Sequence, residues 1–150
     1  MAKTYDPRMH TAEHLLNAIM DRTFGCGRCF SAHIEKKKSK CDYHVPHGIS
    51  DQDTRDVEAA VNGAIRADLP VAEEWISKKK AAKLYQLEKL PEDAGETVRI
   101  IRIGDVDACP CIGPHVISTG AIGTFRITSH SFRDGVLRIR YKLSPSTSVG

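Results

Sequence analysis

Two pairs of metal-ligand residue types stand roughly a hundred positions apart: His10-Thr11-Ala12-Glu13-His14 and Cys111-Ile112-Gly113-Pro114-His115. Together they offer three imidazoles and one thiol. On a helix, residues four apart share a face with Cβ atoms about 5–6 Å apart, which lets two ring nitrogens reach one Zn²⁺ at about 2.0–2.1 Å. Cys111 and His115 would complete a tetrahedron, with Gly113 and Pro114 turning the backbone so that both face the same ion. Zinc lowers the pKa of bound water from about 15.7 to near 7 and polarises carbonyl oxygens, so the chemistry indicated is hydrolysis. Four protein ligands also describe a closed structural site. For hydrolysis, water or substrate must then enter as a fifth ligand or displace one of the four, or else the metal organises a pocket around another water. Thr11, beside the first pair, and Asp42 are candidates for contacts to the ligands or the substrate. Glu13 does not complete a His-Glu-x-x-His protease pattern, because it stands three after His10 and next to His14.

Neither pair is specific alone, and other constellations compete. Cys26-Gly27-Arg28-Cys29 and Cys109-Pro110-Cys111 would suit a four-cysteine zinc site. A redox Cys-x-x-Cys is a poorer fit, since no strand in a βαβ context precedes Cys26. His33, His44, His47 and His130 are read as ordinary surface or core residues, with His44 and His47 flanking the expected hairpin end.

The elements that must position these residues are legible from periodicity. Met9 to Arg22 reads as a helix, with Leu15, Leu16, Ala18, Ile19 and Met20 packed inward, Pro7 upstream, and Gly25 and Gly27 ending it. Cys29–Ile34 and Cys41–Val45 read as a hairpin with a lysine-rich tip. Ser50-x-x-Asp53 resembles a capping box opening a second helix that stops at Asp68-Leu69-Pro70. Val71–Ile76 is expected to be a strand, and Ser77 to cap a short helix running to about Leu87. A loop at Pro91–Gly95 precedes four strands, Val98–Ile103, Val106–Cys111, Ala121–Thr128 and Val136–Leu143, with Asp134-Gly135 turning the last hairpin. The fold class is α+β, a single domain over residues 1–150 with a mainly antiparallel β-sheet and packed helices, residues 144–150 forming a frayed tail.

The 150 residues are enough for one real core, and 41% hydrophobic with 27% charged residues is an ordinary globular balance. No apolar run approaches the ~20 residues that cross a bilayer, and MAKTYDPRMH lacks the apolar centre of a secretion signal. A cytoplasmic location without membrane partners is therefore expected. Five cysteines, an odd number, argue for thiols or metal ligands over a disulfide framework. A net charge of +3 does not declare nucleic-acid binding, but its distribution is uneven. Lys36, Lys37 and Lys38 with Lys40, and Lys78, Lys79 and Lys80 with Lys83, form two basic clusters suited to phosphates. Solvated turns and helix faces would carry the same residues.

The wording around the two pairs supplies the specificity. HTAEHLLNAIM, joined to CIGPHVISTGAIGTFRI, resembles the editing domain shared by alanyl- and threonyl-tRNA synthetases and by free-standing alanyl-tRNA editing proteins. The similarity runs along most of the chain, and VRIIRIGD at 98–105 resembles the strand leading into the metal strand. Thr119-Gly120 through Phe125 looks alanyl-like, whereas Gly113-Pro114-His115 is worded like the threonyl branch. Two residues before the metal cysteine the family usually carries an acidic residue, and this chain has Cys109. The resemblance implies a zinc-dependent trans-editing hydrolase with Zn²⁺ on His10, His14, Cys111 and His115. Its expected substrate is mischarged tRNA, serine on alanine tRNA first and serine on threonine tRNA as the alternative. Lys36, Lys37, Lys38, Lys78, Lys79 and Lys80 would then hold the RNA. A non-catalytic zinc-containing RNA-binding module is the other class of reading, and the oligomeric state is left open.

Overall fold

The computed structural model describes residues 6–85 and 96–145. Helix α1 spans Pro7–Phe24 and opens on Asp6, whose carboxylate accepts from the Met9 N–H at 3.1 Å. Pro7 occupies the first turn, where its missing N–H costs nothing, and Gly25 closes the helix in the left-handed region at φ 65°. Helix α2, Asp51–Arg66, begins with a full capping box: the Asp53 N–H donates to Ser50 Oγ and the Ser50 N–H to Asp53 Oδ2, both at 3.0 Å. Helix α3, Lys78–Leu84, is capped by Ser77. The end of the helix expected to reach Leu87, the loop at Pro91–Gly95 and the last five residues of the expected tail lie outside the described residues.

The strands are β1 (Ser31–Ile34), β2 (Ser39–His44), β3 (Val71–Ser77), β4 (Thr97–Ile103), β5 (Asp107–Pro110), β6 (Thr124–Arg133) and β7 (Val136–Ser144). They form two antiparallel sheets where one was expected, β1-β2-β7-β6 and β3-β4-β5. The class remains α+β. The last four strands do not all pair in succession: β5 ends beside β4, the chain crosses over, and β6 and β7 join the β1–β2 hairpin.

The strand expected over Ala121–Thr128 starts later. Thr119–Ile122 is a 3₁₀ turn and β6 begins at Thr124. Gly123 makes the break, with φ 93° and its Cα so close to the Ser144 carbonyl that a Cβ would collide with the oxygen. The Arg8 guanidinium locks the turn by donating to the Ile122 carbonyl at 2.7 and 2.9 Å.

One core joins α1, α2 and the inner faces of both sheets, built on Leu15, Leu16, Met20, Val57, Val61, Ile101, Ile103, Phe125, Leu137 and Tyr141. On its other face the β3-β4-β5 sheet is covered by α3, where Ala81 packs on Val98 and Ile100. Helix α1 thus runs buried between the two sheets, and burying its polar residues requires partners. Asn17 Oδ1 accepts from the Cys29 N–H (3.1 Å) and the Tyr43 hydroxyl (2.8 Å). His10, Thr11 and His14, each 2% exposed or less, find theirs at the end of β5.

Candidate metal centre

Helical spacing stacks His10 and His14 one turn apart, their ring centroids 5.1 Å from each other. The segment after β5 brings the second pair over them. Gly113 adopts φ 107°, which a side chain would resist, and the turn it makes carries His115 back onto α1. The His115 ring lies 4.1 Å from His10 and 4.5 Å from His14, centroid to centroid. Cys111 Sγ is 3.2 Å from His10 Nε2. One donor atom from each of His10, His14, Cys111 and His115 lies within 4.8 Å of the others.

The hydrogen bonds on the outer nitrogens orient each imidazole. His10 Nδ1 is 3.1 Å from the Pro114 carbonyl, which accepts only, so that nitrogen carries the proton. His14 Nδ1 faces Asp107 Oδ2 at 3.2 Å, with Cys109 Sγ at 3.4 Å. His115 Nδ1 is 2.9 Å from Thr11 Oγ1, which also accepts from the Val116 N–H at 3.2 Å. With Nδ1 engaged on all three rings, Nε2 is the atom each turns to the centre. His115 Nε2 is buried and, among the described residues, has no hydrogen-bond partner.

A buried, unpaired ring nitrogen beside two more imidazoles and a thiol is costly unless something binds it. Zinc fits this donor set: ligands at about 2.0–2.1 Å (N) and 2.3 Å (S) stand roughly 3.3–3.6 Å apart across a tetrahedron, which is the scale of the cluster. Two of the imidazoles are also in the protonation state a cation needs. Burial and the neighbouring His14 push His10 down to about 4, and burial with His14 and His10 pushes His115 down to about 2. Both are neutral at pH 7. Burial raises the Cys111 thiol to about 12; a coordinated cation reverses that tendency by favouring thiolate.

The surroundings contain residues to which sequence reasoning gave no part. Asp107 bridges His14 to Arg28, whose Nη1 and Nη2 donate to its carboxylate at 2.8 and 3.3 Å. Hydrogen bonds from His14 and Arg28, together with the positive charge of Arg28, hold Asp107 below the ordinary carboxylate range although burial opposes them. The acidic residue missing at position 109 is therefore present on the same strand face two positions earlier. Strand alternation of 107 and 109 was the signal that could have found it. Glu13, set aside in the sequence reading, brings Oε1 to 3.9 Å from His10 Nε2. Arg99 donates to the Gly113 carbonyl at 2.7 Å and the Cys111 carbonyl at 3.4 Å, fixing the ligand loop; nothing in the spacing pointed to it.

Other expectations separate from the centre. Thr11 joins it, but Asp42 does not: it alternates with the core-facing Cys41 and Tyr43 and turns to the opposite side of β2, paired with Arg138 at 2.8 and 3.0 Å. The four-cysteine alternative is not assembled. Cys26 Sγ points to the Met20 and Gly27 carbonyls, and Cys29 clusters with Glu13 and Cys41. His33 faces Glu35, His44 stacks on Phe30, His47 lies against the Gly48 carbonyl and His130 faces Asp51. Gly120 and Gly123 make close approaches to Asp68 and Ser144. Lys36, Lys37 and Lys38 are exposed at the β1–β2 turn, and Lys78, Lys79 and Lys80 are exposed in the first turn of α3. Among the described residues, no helix is long and apolar enough to cross a membrane.

Residues 98–140 match the family described as the threonyl and alanyl tRNA synthetase second additional domain. The chain is 34% identical over 139 residues to an alanine–tRNA ligase of Treponema denticola, covering 87% of this chain and 22% of the relative. It is 35% identical over 135 residues to the alanine–tRNA ligase of Carboxydothermus hydrogenoformans, covering 88% and 15%. With that of Treponema pallidum it shares 35% over 145 residues, covering 91% and 23%. The chain thus spans about a fifth of the length of the curated relatives it matches.

Proposed function

As the chain belongs to the family of alanyl-tRNA synthetase-related editing domains, we propose that it is a zinc-dependent deacylase that hydrolyses mischarged tRNA, with serine on alanine tRNA as its main substrate. The observation that carries this reading is the convergence of His10, His14, Cys111 and His115 around a buried His115 Nε2 that has no hydrogen-bond partner among the described residues. When bound there, Zn²⁺ supplies a Lewis acid for the ester carbonyl and lowers the pKa of water toward ~7.

The protein's own groups do the rest. Pro114 and Asp107, which only accept, hold His10 and His14 in one tautomer each, and the Thr11 hydroxyl fixes the orientation of the His115 ring, so that no ring must reorient during the reaction. Glu13, half-buried at the edge of the cluster, is positioned to accept a proton from the attacking water and return it to the departing ribose hydroxyl. The two lysine clusters contact phosphates. Three lysines in the first turn of α3 work against the helix dipole, which supports a role outside the fold.

Editing answers a physical need. A synthetase pocket gains only about 1–3 kcal/mol from a small side-chain difference, and a second hydrolytic site removes the resulting error. Serine would be preferred over alanine because its hydroxyl pairs with a polar group that alanine leaves unpaired, a difference of about 1–3 kcal/mol or about 5- to 150-fold in rate.

The test is deacylation by the 150-residue protein of four purified substrates: serine and alanine on alanine tRNA, serine and threonine on threonine tRNA. Release of serine from alanine tRNA at least about fivefold faster than alanine is expected. Equal rates would end the discrimination, and faster release from threonine tRNA would reassign the substrate. The same experiment tests action in trans, since no synthetase is added. A second reading, an RNA-binding module with a structural metal, is favoured by the four protein donors of a closed tetrahedron. Tight tRNA binding without release would establish it.

A further inference from the structure

Trp75 is the only tryptophan of the chain and is 60% exposed. Leaving so large an aromatic surface in water forgoes much of its burial energy. Its position is specific. In the β3–β4 register Trp75 pairs with Arg99, and on the other side of β4 the Cys111 N–H donates to the Arg99 carbonyl at 3.1 Å. Residues directly opposite in an antiparallel ladder share a face. Trp75, Arg99 and Cys111 therefore form one row across β3, β4 and the residue that follows β5, on the face toward α1, while α3 covers the other face. Two strand spacings of about 4.8 Å set Trp75 roughly 10 Å from the thiol ligand. Arg99 ties the row together, donating to Glu73 at 2.7 Å on one side and to the Gly113 carbonyl on the other.

We infer that Trp75 is a stacking platform for a base at the single-stranded 3′ end of RNA, seated beside the metal centre; this rests on the deacylase reading above. Two features select RNA over a protein partner. One cation, Arg99, lies beside the platform on the same face of the sheet, paired with Glu73. The platform also lies in line with a centre that, in a deacylase, holds the ester at the RNA end, at a reach that the base of the ester-bearing nucleotide or its neighbour spans. Exposed aromatics bind single strands by stacking, which tolerates any base.

Because Trp75 is the sole tryptophan, its fluorescence reports the contact directly. Titration of the full chain with the unacylated trinucleotide CCA, and with whole tRNA, should quench emission saturably. Trp75→Ala should raise KM for deacylation about 5- to 150-fold, the loss of one stacked base, with kcat near wild type. Trp75→Phe, which keeps a ring face, should recover most of the loss. Equal thermal unfolding of the variants would confirm that an exposed position has been changed without damage to the fold. The inference is overturned if neither RNA alters the emission and the alanine variant keeps the wild-type KM. It is also overturned if emission shifts with protein concentration alone, which would make this face a contact between copies. Should no mischarged tRNA be hydrolysed, the quenching still decides the stacking question separately from the deacylase reading.

Discussion

Thr11→Val is a near-isosteric change that isolates what the hydroxyl does. Thr11 Oγ1 sits 2.9 Å from His115 Nδ1 and 3.2 Å from the Val116 N–H, in a side chain with no exposed surface. Valine fills the same volume without a hydroxyl, so no cavity term enters, and the Val116 N–H and His115 Nδ1 both lose their partner. Each loss costs about 1–3 kcal/mol, giving roughly 2–4 kcal/mol for the metal-free protein once partial relaxation toward water is allowed. The effect on metal binding is separate. Without the hydroxyl at Nδ1 the His115 proton is free to sit on Nε2, removing the lone pair from the centre. Loss of such an outer-shell partner typically weakens metal affinity 10- to 100-fold, or about 1.4–2.7 kcal/mol. Competition with a chromophoric zinc chelator measures this at pH 7, and thermal unfolding in EDTA measures the first term. Thr11→Ser keeps the hydroxyl and should restore zinc affinity, with only the roughly 0.5–1.5 kcal/mol cost of a lost methyl in stability. Wild-type zinc affinity in Thr11→Val, or a serine variant as weak as valine, would refute the reasoning.

Four further outcomes are expected. His10→Ala and Cys111→Ala should each lose zinc by elemental analysis, and full occupancy in both would remove the ligand assignment. Replacing Lys36, Lys37 and Lys38, or Lys78, Lys79 and Lys80, by alanine should weaken tRNA binding and flatten the slope of log K against log salt by up to about 2–3. An unchanged slope in both would return these lysines to ordinary surface. Gly123→Ala, strained at φ 93° against Ser144 and Arg8, should cost about 3 kcal/mol and lower Tm by roughly 6–12 °C; a wild-type Tm would refute the steric argument. Asp42→Asn should leave zinc binding and deacylation unchanged but lower stability at pH 7. The Arg138 hydrogen bonds hold the Asp42 carboxyl below its ordinary range, so its contribution is present above about pH 3.9 and lost as pH falls through the lowered value. The two proteins should therefore converge in urea unfolding at acid pH, and a constant gap would count against the ion pair.

How far the chain could be read without coordinates follows from the range of the forces involved. The caps at Asp6, Ser50 and Ser77, the left-handed Gly25 and the Asp134-Gly135 turn are local: their signals lie within a few residues, and Ser50, Ser77, Gly25 and the Asp134-Gly135 turn were read correctly. The α+β class was legible for the same reason. Division into two sheets was not, because it depends on which strand finds which neighbour over long separations, and Gly123 acts by meeting Ser144, a contact no local pattern records. At the candidate centre the four donors were visible through their types and spacing, whereas their supports were only partly so. Asp42 looked like a candidate because a carboxylate on a strand near the site is plausible, yet strand parity turns it to the opposite face. Asp107 was hidden behind Cys109, although parity along β5 puts 107 and 109 on one side. The same rule thus removes one carboxylate and supplies another. Asp107 holds His14 and Arg28 together, so the negative charge that position 109 lacks is delivered to the same imidazole from one pleat further back. A centre built this way needs its acidic partner on the right face of β5 more than at a fixed distance from Cys111.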